Sequence, residues 1–203
     1  MVFDNGHGSR QRSDAVGRII VSDNLTIDGV FEDPAGDEGF ERGGWVGAIK
    51  DRPDLLGLAL DDAQRADAFL MGRRTYEWFA GRWPSRSGPL ADRLNGMPKY
   101  VVSSTLQRPA WNNTVVLRGA LLDEVEDLKG RIERDIVLSG SSRIAQTLLE
   151  HDVVDELRLK VFPVVLGAGR PLFGGTSAMK RMRLVDARSI DGDTAYLIYQ
   201  RRD

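Results

Sequence analysis

Phe69-Leu70-Met71-Gly72-Arg73-Arg74-Thr75-Tyr76 is a short apolar run that stops at a glycine and opens into two arginines and a threonine. It reads as a buried strand, a tight turn and the start of a helix over about Thr75 to Gly81. Val137-Leu138-Ser139-Gly140-Ser141-Ser142-Arg143-Ile144 has the same grammar. There a strand over Asp135–Ser139 turns through small residues into a helix whose buried side carries Ile144, Ala145, Leu148 and Leu149.

Working outward, Gly17–Ser22 reads as a first buried strand, and Pro53 to Ala66 as a helix with Leu55, Leu56, Ala59, Ala63 and Ala66 on one face. Proline suits the first turn of a helix. Strands are expected at Lys99–Ser103 and Asn113–Leu117, and Leu121, Leu122, Val125 and Leu128 mark another amphipathic helix. Then the texture changes. Glu156 to Leu166 reads as a long strand without a helix behind it, and two more strands flank Asp191-Gly192-Asp193. An Asp-Gly pair between strands signals a hairpin. Alternating strands and helices followed by strands alone predict a single α/β domain over residues 16–203. Its sheet is mostly parallel, with an antiparallel C-terminal hairpin, and helices flank it. The polar, Gly- and Ser-containing residues 1–15 read as a flexible tail. The stretch Asp28 to Gly47 has no periodicity, and loops that long in a compact domain are usually functional or mobile.

Composition narrows the chemistry. The chain of 203 residues has no cysteine, two histidines and a net charge of −2. That excludes disulfides, thiolate catalysis and cysteine-ligated metal, and two histidines are too few for a histidine zinc site. No metal is expected. Near-neutral charge gives no reason to expect nucleic acid or an anionic membrane as partner. No apolar run approaches the roughly 20 residues of a membrane span, and no signal-peptide pattern opens the chain. A cytoplasmic protein with a small-molecule substrate is expected.

A helix N-terminus offers free N–H groups and a positive dipole end, which suit phosphate. Gly72 then lets a ligand approach the backbone, and Arg73 and Arg74 offer forked donors to its oxygens. Alternatively Gly72 only ends a strand and the arginines are solvated. Ser141 or Ser142 is either a helix cap or, with Gly140 and Arg143, a lining for pyrophosphate. Ser103-Ser104-Thr105 ends a third strand with hydroxyls able to hold a phosphate or ribose oxygen. Gly167-Ala168-Gly169 has the wrong spacing for a dinucleotide fingerprint and reads as a glycine turn.

At these residues the chain resembles the dihydrofolate-reductase-like family, and within it the branch containing the reductase domain of the riboflavin-biosynthesis deaminase-reductase. Leu25-Thr26-Ile27-Asp28-Gly29 resembles that branch's S-L-D-G segment, and Met71–Tyr76 its cofactor turn. Lys99–Ser104 resembles its adenosine-side strand, Leu138–Ser142 its pyrophosphate turn, and Phe162–Gly169 its closing segment. The resemblance spans about Val16 to Arg202 and implies a mixed sheet of about eight strands with NADPH across its carboxyl edge. It implies that Gly72, Arg73, Arg74 and Thr75 meet the cofactor phosphates. Ser103 and Ser104 would lie near the 2′-phosphate, and Gly140, Ser141, Ser142, Arg143 and Ile144 near the pyrophosphate. The nicotinamide would lie by Ser22 to Leu25, and so by Asn24. It also implies a homodimer.

The resemblance implies an NADPH-dependent reductase acting on a pteridine-like or aminopyrimidine molecule, such as a 5-amino-6-(5-phosphoribosylamino)uracil reductase. The alternatives are a non-catalytic nucleotide-binding or dimerisation module, or a dihydrofolate reductase proper. Where the latter holds its pteridine with a helix carboxylate, this chain has Leu55-Leu56, with Asp51 and Asp54 nearby. Proton delivery points to Asp28, Asp33, Asp37, Glu41 or Asp54, each otherwise a solvated acid. Of these, Asp28 and Asp54 are the catalytic candidates. Trp45 either covers the substrate or fills the core. Lys160 either attracts a substrate phosphate or is a solvated strand lysine.

Overall fold

Ile19, Ile20 and Val21 are buried in succession, so both faces of their strand are covered, the condition under which parallel strands are found. In the computed structural model, which describes residues 16–48 and 53–202, this strand is β1, Arg18–Thr26. The residues read as a tail, and Asp51, lie outside the described residues. The chain continues through α1 (Pro53–Arg65), β2 (Ala66–Gly72), α2 (Arg73–Ala80), α3 (Pro89–Gly96), β3 (Lys99–Val102) and β4 (Thr114–Leu117). It then forms α4 (Leu121–Arg131), β5 (Asp135–Leu138), α5 (Ser142–Glu150), β6 (Glu156–Phe162), β7 (Met182–Ile190) and β8 (Thr194–Arg201).

These strands form one eight-stranded sheet in the order β4-β3-β2-β5-β1-β6-β8-β7. Pairing is parallel from β4 to β6, and antiparallel where β8 joins β6 and β7. The predicted hairpin forms at Asp191-Gly192-Asp193, with φ of 49° and 86° at its first two residues. Asp191 also reaches across the fold. Its carboxylate accepts the backbone N–H groups of Asp54 and Leu55, each at 3.1 Å, and so caps α1.

One face of the sheet packs Ile19, Val21, Ile136 and Leu138 against Val125, Leu128 and Leu148 of α4 and α5. On the other face Phe69, Met71 and Val101 meet Tyr76, Leu94 and Trp111. No helix among the described residues is long and apolar enough to cross a membrane.

Four local expectations are corrected. β1 runs on to Thr26 through the polar Ser22-Asp23-Asn24, which pairing with β6 holds in the sheet after the pairing with β5 has ended at Val21. β6 stops at Phe162 rather than Leu166. Pro163 has no N–H to give a ladder, and Val164 N–H turns back to the Phe162 carbonyl at 2.8 Å. α3 was not anticipated, because its eight residues carry only a short apolar pattern, of which Ala91 and Leu94 are buried. On α1 the buried residues are Leu58, Asp62 and Ala63, whereas Leu56 is 61% exposed.

The stretch after β1 has no regular structure, yet it is ordered by its own side chains. The buried Asp33 carboxylate accepts the N–H groups of Gly36, Asp37, Glu38 and Phe40 at 2.8–3.1 Å. Trp45 is buried, donates its indole N–H to the Glu32 carbonyl at 2.9 Å, and meets Phe162 edge-on. Asp37 ties the loop to α2 by accepting from Trp78 at 2.9 Å and pairing with Arg82.

Candidate active site

The carboxyl ends of β3, β2, β5 and β1 stand side by side, which brings the turns at Gly72 and Gly140 together. Gly72 N–H donates to Ser141 Oγ at 2.9 Å, and Thr75 Oγ1 donates to the Gly140 carbonyl at 2.9 Å. Thr75 and Ser141 hydroxyls lie 3.0 Å apart. Gly140 has φ +67°, and a Cβ there would sit 3.0 Å from Thr75 Cγ2, so the turns interlock only with glycine at this point. Neither α2 nor α5 has a side-chain cap at its N-terminus. Their first-turn donors are therefore available to an anion.

Arg73, Arg74 and Arg143 are exposed around these turns. Arg73 is oriented by Glu77 and by Thr105 Oγ1, both at 2.7 Å. Ser103 Oγ accepts from the N–H groups of Thr105 and Leu106, which folds the strand end into a turn and leaves Ser104 exposed. Arg118 holds that turn by donating to the carbonyls of Ser104 and Leu106. Ser141 and Ser142 are buried, and Ile144 packs into the core. Uncapped helix starts and exposed arginines gathered on two interlocked turns suit a phosphorylated dinucleotide.

Beside the turns opens a cavity of about 380 Å³. Leu55, Leu56, Ala59, Phe79, Trp83 and Leu90 supply apolar walls, and Ser22, Asp23, Asn24, Asp62, Ser139 and Lys160, with Arg86, the polar part. Lys160 Nζ donates to Ser22 Oγ at 2.7 Å, and Ser22 Oγ donates to Asp62 at 2.9 Å. Arg158 then contacts Asp62, Asp135 and Glu156 at 3.0, 2.8 and 2.7 Å. Arg18 adds a contact to Glu156 at 2.6 Å. Burial pulls the Lys160 ammonium below its ordinary value, and Asp62 and Asp23 oppose that. Burial acts on Arg158 in the same sense, but its three carboxylates outweigh it and hold the guanidinium above its ordinary value. Burial pushes Asp23 up to about 6, against the Gly140 N–H, Lys160 and Ser139.

The family follows from the chain as a whole. The profile of the RibD C-terminal domain matches residues 18–196. The chain belongs to the RibD C-terminal domain family. The uncharacterized protein YyaP of Bacillus subtilis (strain 168) is 29% identical over 187 residues, covering 90% of this chain and 94% of YyaP. A candidate riboflavin biosynthesis protein from Shewanella sp. PV-4 superposes with a TM-score of 0.73 at 22% identity, over 92% of this chain and 99% of that one. Dihydrofolate reductase from Enterococcus faecalis, in complex with NADP(H) and RAB-propyl, gives 0.61 at 16% identity, over 92% and 97%. The fold is therefore dihydrofolate-reductase-like.

Within this RibD C-terminal domain, Ser22, Asn24 and Lys160 line the cavity. Gly72–Thr75, Ser103, Ser104 and Gly140–Ile144 gather on the adjoining edge. Asp28, Asp54 and Trp45 stand outside the cavity lining. Asp28 accepts from Thr26 Oγ1 at 2.5 Å and Gly167 N–H at 2.7 Å. Those bonds, the Thr26 hydroxyl first, hold it down at about 2, so it stays a carboxylate and staples a turn. Asp54 is exposed at the start of α1, and Trp45 is a core residue. Lys160 is buried and already engaged by Ser22 and Asp62, not solvated on the strand.

Asp23, Asp62 and Arg158 were missed. The signal was present in Glu156-Leu157-Arg158-Leu159-Lys160, where charges recur with period 2 on one strand face. Nothing local says that this face is buried.

Proposed function

We propose that the protein is an NADPH-dependent reductase acting on a small nitrogen heterocycle of the aminopyrimidine or pteridine type. One observation carries the reading: two interlocked turns with uncapped helix starts and exposed arginines open beside a cavity with a polar floor. Arg73, Arg74, Arg143 and the α2 and α5 N-termini hold the phosphates, and Ser104 and Thr105 support the adenosine end. Leu56, Phe79 and Trp83 cover a flat ring, while Lys160, Ser22 and Asp62 fix its polar edge. Leu56 is an apolar side chain left exposed, which an occupied cavity would cover. Bound NADPH supplies a hydride, and the chain orients the acceptor and excludes water.

Titration of the protein with NADPH, followed by cofactor fluorescence, tests the binding. Saturation in the micromolar range is expected, and no change at high micromolar cofactor would sink the reading. NADPH oxidation with a riboflavin-pathway aminopyrimidine, dihydrofolate and small carbonyl compounds then tests catalysis. Arg73→Glu and Arg74→Glu are each expected to weaken NADPH by about 10-fold or more, since a charge-assisted hydrogen bond contributes about 1.5–3 kcal/mol. NADH, which lacks the 2′-phosphate, should lose less, and equal losses would count against the phosphate role.

A further inference from the structure

Asp23 is a carboxyl of the cavity whose hydrogen bonds are incomplete. It is 6% exposed and lines the cavity from β1. Its Oδ1 accepts Gly140 N–H at 2.7 Å and Ser139 Oγ at 3.1 Å. Its Oδ2 is buried and has no hydrogen-bond partner among the described residues. Asp62, the other cavity carboxylate, is saturated: Arg158 holds one oxygen and Ser22 the other, with Lys160 at 3.8 Å. Asp28 and Asp54 lie outside the lining. A buried polar atom without a partner asks for one from a ligand or for a proton of its own.

The groups facing Asp23 are few. β6 presents Lys160, and α1 presents Asp62 behind it, the two already paired. Arg158 lies beyond them, committed to its three carboxylates. β5 and its turn contribute only the Ser139 hydroxyl and the Gly140 N–H. Burial exceeds what these supply, so the carboxyl titrates at about 6, close to neutrality.

Its place on the edge gives the group a task, resting on the NADPH reading above. The order β3-β2-β5-β1 runs from Thr105 and Arg73 through the paired turns to Asp23. Neighbouring strands are about 4.8 Å apart. A dinucleotide with its adenosine end at β3 and β2 and its phosphates on the turns therefore extends its other end toward β1.

We propose that Asp23 carries the exchangeable proton of this site: protonated beside the neutral reduced ring, ionised beside the cationic oxidised ring, and donor to the substrate. The carbon of the substrate's C=N or C=O bond takes the hydride, and its nitrogen or oxygen takes the proton from Asp23. Asp23 is left as a carboxylate facing the positive ring, an opposite-charge pair in a place of low dielectric. Solvent returns the proton once the oxidised cofactor leaves. Asp23 is then the catalytic acid, and Lys160, itself held by Ser22 and Asp62, positions the acceptor.

Calorimetric titration of the full chain with NADP+ and with NADPH tests this without any substrate. Titrations at about pH 6, in buffers of different ionisation enthalpy, count the protons exchanged on binding. NADP+ is expected to release about one proton more than NADPH does, because a group at its midpoint is half protonated in the free protein, so NADP+ drives off about half a proton and NADPH takes up about half. The 2′-phosphate is common to both cofactors and cancels in that difference. Asp23→Asn keeps an acceptor for Gly140 and is expected to abolish the difference while still binding NADPH. If that variant does not fold, the wild-type difference alone decides. Equal proton counts for the two cofactors, or a difference surviving in Asp23→Asn, would overturn the assignment. No binding of either cofactor would instead overturn the reductase reading on which it rests.

Discussion

Replacing Arg158 by methionine is expected to destabilise the protein by about 3–5 kcal/mol, the usual cost of removing one partner from a buried ion pair. Methionine fills the volume of the aliphatic stem but leaves Asp62, Asp135 and Glu156 without the guanidinium they share. Domains of this size are stable by about 5–15 kcal/mol, so the loss is a large share of the total. The pH dependence gives an internal check. Glu156 is held below its ordinary value: burial opposes this, but Gln200, Arg158 and Arg18 outweigh it. A carboxyl held low contributes stability that is present above its unfolded value and lost as pH falls through the folded one. Without Arg158 the buried Glu156 carboxyl shifts upward, and its protonation relieves the variant in acid. The deficit seen in urea unfolding should therefore narrow between about pH 7 and about pH 5. A deficit below about 1 kcal/mol at neutral pH would mean that water substitutes for the guanidinium.

Gly140→Val is expected to remove cofactor binding, by about 100-fold or more, while leaving most of the fold intact. Left-handed backbone costs an L-residue about 1–2 kcal/mol, and Gly140 has φ +67°. The new Cβ would meet Thr75 Cγ2 at 3.0 Å and Thr75 Oγ1 at 3.2 Å. Thr75 must then leave the Gly140 carbonyl, and with it goes the lock between the two turns. Both arginine positions and both helix N-termini depend on that lock, so the affinity loss should exceed that of either arginine variant. NADPH fluorescence titration measures it, with far-UV circular dichroism to confirm the fold. Gly57→Ala is the control. Gly57 lies inside α1, and a methyl group there would meet nothing within 4 Å, so alanine should add about 0.5–1 kcal/mol and leave binding unchanged. Retained NADPH affinity in Gly140→Val would show that the turns do not hold the phosphates.

Gly72, Gly140, Asp191 and Gly192 announce turns because backbone torsions are decided by the residue itself and its immediate neighbours. The buried runs of β1, β2 and β5, the helices between them other than α3, and the closing hairpin were legible for the same reason. Asp33 and Trp45, by contrast, look alike in sequence to any loop acid and any loop aromatic. Only the closing of the loop upon itself makes one a four-fold acceptor and the other a core ring.

By itself the sequence determined the α/β class, the change from parallel to antiparallel pairing, and the place of the two turns. All of these rest on interactions spanning a few residues. Tertiary structure alone decided the floor of the cavity. Lys160 meets Ser22 across 138 positions and Arg158 meets Asp62 across 96, and no local pattern encodes a pairing at that separation. It also decided which acid faces the site. Asp28 and Asp23 are five positions apart on one segment. One is held as a carboxylate by the hydroxyl and N–H groups around it, and the other is raised toward neutrality by burial. The difference lies in solvent access and in the donors each oxygen meets, and both exist only once the chain has folded.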